Sequence, residues 1–168
     1  TRNWLCIDSD SRFIRTFGKE DFLHPDGHPY TVIHQNKELL QMAANLGIGK
    51  VAEGFAAEAA RFRALLPRPG PEYVYMPSPF LWSARVWQSL EAQWLKPRGE
   101  TLWQAITPAY PESRWYGEAL LAFGAIPLRP VEPYFRVYHY DWQYDLFRRQ
   151  GETEASLCAA YLGIVMQS

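Results

Sequence analysis

The chain has 168 residues, 48% of them hydrophobic and 21% charged, and a formal net charge of −1. That length sustains one compact domain with a real core, and a near-neutral chain without a basic stripe gives no electrostatic support to binding a nucleic-acid backbone. No apolar run approaches the ~20 residues that a membrane-spanning helix needs.

Taken in chain order, Trp4-Leu5-Cys6-Ile7 is apolar without a helical period and predicts a buried strand. Asp8-Ser9-Asp10 ends it, and Arg12-Phe13-Ile14-Arg15 alternates as a second extended piece. His24 to Pro29 carries two prolines and a glycine, the chemistry of a loop. Thr31 to His34 is β-branched and reads as a strand. Asn36 is placed to cap a helix over Lys37–Leu46 with Gly47 as its stop, and a second helix runs from Val51 to Leu66 against Pro67. Tyr73 to Met76 predicts a strand closed by the Pro77-Ser78-Pro79 break.

Ser83 opens a helix to Leu95 whose Val86, Leu90 and Trp94 share a face, and Glu100–Ile106 and Glu112–Phe123 follow as helices, the latter stopped by Gly124. Phe135 to Tyr138 alternates as a strand and delivers His139 at its end. Asp141–Gln150 and Thr153–Leu162 are amphipathic helices, and Gly163 to Met166 is a final strand. Strands mixed with helices throughout predict an α/β class with a mixed sheet flanked by helices.

Cys6 and Cys158 match no metal-ligand spacing. They read as buried thiols of a reducing, cytoplasmic compartment, with one long-range disulfide as the alternative. The first residue is Thr1 and an apolar strand begins almost at once, which predicts a piece of a longer protein.

Asp8 and Asp10, one residue apart at a strand end, can turn both carboxylates toward one hard cation, and Mg²⁺ or Mn²⁺ prefers such oxygen ligands together with substrate phosphates. Open α/β sheets place ligands at the carboxyl ends of their strands. The same two residues also suit a solvated acidic turn. A third reading, a phosphatase with Asp8 as nucleophile, lacks the Thr or Val that would follow the motif, since Ser11-Arg12 follows instead. Aromatic residues reach 15%, seven of them tryptophan. Indole faces suit sugar rings, which makes Trp82 and Trp115 candidates for stacking on an acceptor, with core packing as the plainer role.

His24 and His28 lie in a turn without further spaced ligands, so a surface loop is read there rather than zinc. Glu112, after Pro111 where a carboxylate favours the helix dipole, and Asp141, where an N-cap belongs, are each also candidates for a general base. Arg12 and Arg15 suit a diphosphate by their planar forks. His139 reads either as a metal ligand or as a histidine held among Tyr138, Tyr140 and Trp142.

The stretch Leu5-Cys6-Ile7-Asp8-Ser9-Asp10-Ser11-Arg12-Phe13-Ile14-Arg15 resembles the DXD region of GT-A-type glycosyltransferases. More narrowly, it looks like a bacterial glycosyltransferase-like family of uncharacterised function. Pro111 to Glu118, Tyr138-His139-Tyr140 and Leu162 to Ser168 match further along. The resemblance spans most of the chain and implies a single domain over 1–168. This would be the DXD-containing C-terminal part of a GT-A fold, without the preceding nucleotide-binding part. It implies a metal-dependent transferase that moves a sugar from a nucleoside diphosphate sugar to a glycan, lipid or small-molecule acceptor. Asp8, Ser9, Asp10 and Arg12 would then bind the donor, and Asp8, Asp10 and His139 a Mn²⁺ or Mg²⁺ ion. An aromatic-rich carbohydrate-binding module without turnover is the alternative.

Overall fold

The computed structural model describes residues 2–75 and 79–167. Its contacts divide the chain into two units that interleave in sequence, one drawn from Thr1–Val32, Met76–Ser83 and Arg129–Ser168, the other from Ile33–Tyr75 and Ala84–Leu128. All the named strands belong to the first unit: β1 (Asn3–Cys6), β2 (Ser11–Phe13), β3 (Thr31–Val32), β4 (Phe80–Ser83), β5 (Pro130–Val131), β6 (Phe135–Tyr138) and β7 (Gly163–Met166). The second unit is helical, with α1 (Lys37–Asn45), α2 (Gly49–Leu65), α3 (Ala84–Leu90), α4 (Leu102–Ala105) and α5 (Glu112–Phe123). α6 (Asp141–Arg149) and α7 (Glu154–Ala160) return to the first. The class is mixed α and β, as the sequence predicts.

In the first unit the strands form three small sheets. β7 is the centre of the largest, antiparallel to β2 and parallel to β6. Phe22, Phe135, Leu162 and Val165 are buried together beneath it, with Phe13 edge-on to Phe135 at 5.0 Å between ring centroids. Each fully buried side chain of this size contributes roughly 1.5–3 kcal/mol. Gly163 opens β7 because nothing larger fits: a Cβ there would lie 2.5 Å from the Phe135 ring and 2.6 Å from the Arg12 carbonyl oxygen. α7 starts where expected, with the Thr153 hydroxyl accepting from the Ser156 amide at 3.2 Å. Cys6 and Cys158 are free thiols, and Cys158 Sγ donates to the Ile14 carbonyl at 3.2 Å.

β1 corrects the expectation of a buried strand. It pairs with β4 in a two-stranded ribbon, Trp4 opposite Trp82, and Trp4, Leu5 and Ile7 are 43%, 38% and 44% exposed. Two strands are too few to enclose a core of their own. β4 itself was hidden in the sequence between the Pro77-Ser78-Pro79 break and the helix start, because its partner is far away along the chain. The expected strand at Tyr73–Met76 shrinks to one bridge between Val74 and His34, and Met76, Pro77 and Ser78 lie outside the described residues.

In the second unit α5 is enclosed on every side: Ser113 through Leu120 are all buried. It ends at Gly124, whose φ of +57° is the left-handed conformation that glycine adopts at least cost. α3 continues through a π turn at Glu91–Leu95 and a 3₁₀ turn at Lys96–Arg98. The π turn moves the inward position along by one residue, so Val86, Leu90 and Leu95 are the fully buried positions and Trp94 leaves the expected face. Asn36 precedes α1 as expected but sits at φ +49° and makes no side-chain cap. The helix expected over Glu100–Ile106 contracts to α4, fixed at its start by Thr101 and Gln104.

Candidate functional site

Asp8-Ser9-Asp10 forms a tight turn between β1 and β2, closed by the Ser11 amide donating to the Asp8 carbonyl at 3.1 Å. Ser9 and Asp10 are exposed and Asp8 half-buried. β2 then runs antiparallel to β7, so the turn comes to the end of the sheet where β7 finishes, and the Met166 amide donates to the Asp10 carbonyl at 3.2 Å. β6 is parallel to β7 and finishes at that same end, where it delivers His139. The acidic turn therefore stands at the carboxyl ends of two parallel strands, the edge at which open sheets present ligand sites. β2 and β6 flank β7, so their backbones are roughly 10 Å apart by ordinary strand spacing.

His139 is held on both sides of its Cα. Its Nδ1 is 2.8 Å from Gln167 Oε1, just past β7, and its backbone amide donates to Gln143 Oε1 at 2.9 Å. Because Gln167 Oε1 can only accept, the bond fixes the tautomer with the proton on Nδ1 and the lone pair on Nε2, the form that ligates metals. Burial lowers the imidazole pKa against the opposing pull of Gln167, which keeps the ring neutral. Gln143 is itself buried on α6, whose first turn points amide groups and a positive partial charge toward this end of the sheet. Asp141 is the first residue of that helix rather than its cap, a position taken by Tyr140, and its side chain is exposed.

The other expected residues are distributed differently. Arg12 on β2 is engaged by Glu154 of α7 at 2.7 Å, both side chains more than half exposed. Trp82 is half-buried beside Phe80 in the first unit. Trp115 corrects the acceptor expectation: it is 2% exposed, packs edge-on against Phe62, and donates its indole N–H to the Ala105 carbonyl at 3.0 Å. Its helix is buried all round, so the ring has no face to offer. Glu112 opens α5 in the second unit, at the first turn where the dipole favours a carboxylate. The loop at His24–Pro29 is the turn read from the sequence, with His24, Asp26 and Arg129 paired across it.

Among the described residues no group of three or more His, Cys, Asp or Glu side chains stands together, so His139 does not join the two aspartates side chain to side chain. A pair of carboxylates is nevertheless the usual protein share of a Mg²⁺ or Mn²⁺ site completed by substrate phosphates. Gln143 and Gln167 had no signal in the sequence, since only the fold carries them to His139. Comparison of the chain with protein-family models, with curated proteins and with solved structures finds no match.

Proposed function

We propose that the chain carries the cation- and diphosphate-facing site of a sugar-nucleotide transferase, built on Asp8, Asp10 and His139. The observation that supports this reading is the placement of the acidic turn and a tautomer-fixed histidine at one end of the sheet, the carboxyl ends of the parallel pair β6 and β7. Asp8 and Asp10 would hold the Mn²⁺ or Mg²⁺ ion together with the substrate phosphates, His139 would stand beside the donor at the same sheet edge, and the ion would stabilise charge on the departing diphosphate. The chain's own part is to present the two carboxylates on a tight turn, to hold the imidazole neutral, and to bring the first turn of α6 to the same edge. Asp141, exposed at that helix start, is the candidate to accept the proton of an attacking sugar hydroxyl.

The test is Mn²⁺ binding followed by electron paramagnetic resonance, with and without UDP or GDP. The expected result is Mn²⁺-dependent binding of a nucleoside diphosphate, lost in Asp8→Ala and Asp10→Ala and weakened in His139→Ala. Nucleotide binding indifferent to chelation, or unchanged in both aspartate variants, overturns the proposal. A carbohydrate-binding module without turnover is the second reading, favoured by the exposure of Trp4 at 43% and Trp103 at 92%. It expects glycan binding that survives chelation.

A further inference from the structure

The second unit holds a cleft of about 350 Å³ between α1, α2 and the segment at Glu72–Val74, with Arg114 of α5 in its lining. This volume lies within the ~300–1,000 Å³ of small-molecule sites. Most of its wall is apolar, from Leu40 on α1, Phe55 and Ala56 on α2, and Val74. Arg114 differs from these neighbours. It is 2% exposed, donates to the Tyr73 carbonyl and pairs with Glu58 at 3.1 Å, yet its Nε–H is buried without an acceptor among the described residues. A buried arginine donor left unmatched is costly, and proteins seldom leave one without a purpose or a missing partner.

Two further features have the same sign. Gln35 and Lys37, which flank the start of α1, also line the cleft, and the helix begins there without a side-chain cap. Asn36 between them has a buried Nδ2 that finds no acceptor among the described residues. The polar groups wanting partners here are donors, joined by the positive end of a nine-residue helix and one lysine. Glu72 is the carboxylate of the lining and opposes them.

From this we infer that the cleft binds a small amphipathic anion. Its carboxylate or phosphate head would be drawn to Arg114 and Lys37 while its apolar body lies on Leu40, Phe55 and Val74. This goes beyond the sugar-transfer reading and does not depend on it, since none of its residues belongs to the acidic turn or to the sheet.

The experiment titrates the whole chain with octanoate, octyl phosphate and octanol, followed by amide shifts in a ¹H–¹⁵N NMR spectrum. The expected result is saturable binding of at least one of the two anions, with shifts confined to α1, α2 and residues 72–74. Octanol should bind about tenfold or more weakly, as befits loss of a charged hydrogen bond. A preference for octanoate assigns a carboxylate ligand, and a preference for octyl phosphate a phosphate one. Ala56→Phe, at an exposed position on the wall, fills the cleft and should abolish binding. The exposed charges give opposite signs: Lys37→Gln should weaken binding about threefold and Glu72→Gln should tighten it by a similar factor. No saturable binding of either anion, equal binding of octanol, or binding untouched by Ala56→Phe overturns the inference.

Discussion

The two units differ in how deeply they hold their charged groups. In the strand-built unit Ser9, Asp10 and the Arg12–Glu154 pair are open to water. Beside its aromatic core Arg136 pairs with Glu152 at 3.2 Å, with 9% and 16% of their side chains exposed and the Tyr138 hydroxyl donating to Glu152. In the helical unit charge is carried further inside: the Arg68 and Glu118 side chains are each 3% exposed and joined in an ion pair that also takes in the Tyr75 hydroxyl. Desolvation and the Glu118 charge push the Tyr75 phenol well above its ordinary range, so it stays protonated and able to donate. A buried pair adds little net stability over an apolar filling, but losing one member leaves a naked charge in the core. Each unit should therefore be brittle at its inward pair, the helical unit more so because Arg68 and Glu118 are held deeper, and tolerant at exposed pairs such as Arg12–Glu154.

The sharpest break of this contrast is Glu118→Leu, which strands Arg68 in the core. It should cost about 3–5 kcal/mol in urea denaturation, with much of that recovered by adding Arg68→Met. A loss below about 1 kcal/mol would show that the network does not hold the unit. Next is Gly117→Ala, whose new Cβ would lie 2.1 Å from the Tyr75 ring. Overpacking of this kind should cost about 1–3 kcal/mol by the same measurement, because a ring that is itself hydrogen-bonded cannot swing aside.

The strand-built unit should respond to acid at Asp26. The His28 amide first, then Arg129 and His24, hold its carboxyl well below the ordinary range. A depressed folded pKa gives stability that is present above the unfolded value of about 3.9 and fades as pH falls below it. Asp26→Asn should therefore lower stability at neutral pH and flatten the acid limb of a stability–pH curve below about pH 4, where the variant and the parent protein converge. An unchanged acid limb would remove this pairing from the account. The smallest effect is expected from Arg12→Ala, an exposed pair on β2 that should cost no more than about 0.5 kcal/mol and lose even that in high salt.

Legibility in the sequence followed the range of the interactions. α5, β6 and β7 stand where their patterns put them, because Pro111 and Gly124 bound one and strict alternation marks β6. The π turn after Leu90 defeats a regular count: the periodicity points to Trp94, and packing selects Leu95. Trp115 and Trp103 make the same point for the aromatics. Both are tryptophans on helices, yet one is 2% and the other 92% exposed, and no local pattern separates them.

By itself the sequence determined that the chain is mixed α and β, and that Asp8-Ser9-Asp10 ends a strand. Turn residues, apolar period and caps act over a few residues, and their energies survive any arrangement of the rest. Only the tertiary structure decided which strand ends meet. It set His139 beyond β6 at the same edge as the acidic turn beyond β1, and supplied Gln143 and Gln167 to fix its ring. It also left β1 exposed and buried Arg114 beneath a cleft. Those choices rest on register and packing between distant segments, where each partner's place depends on all the others.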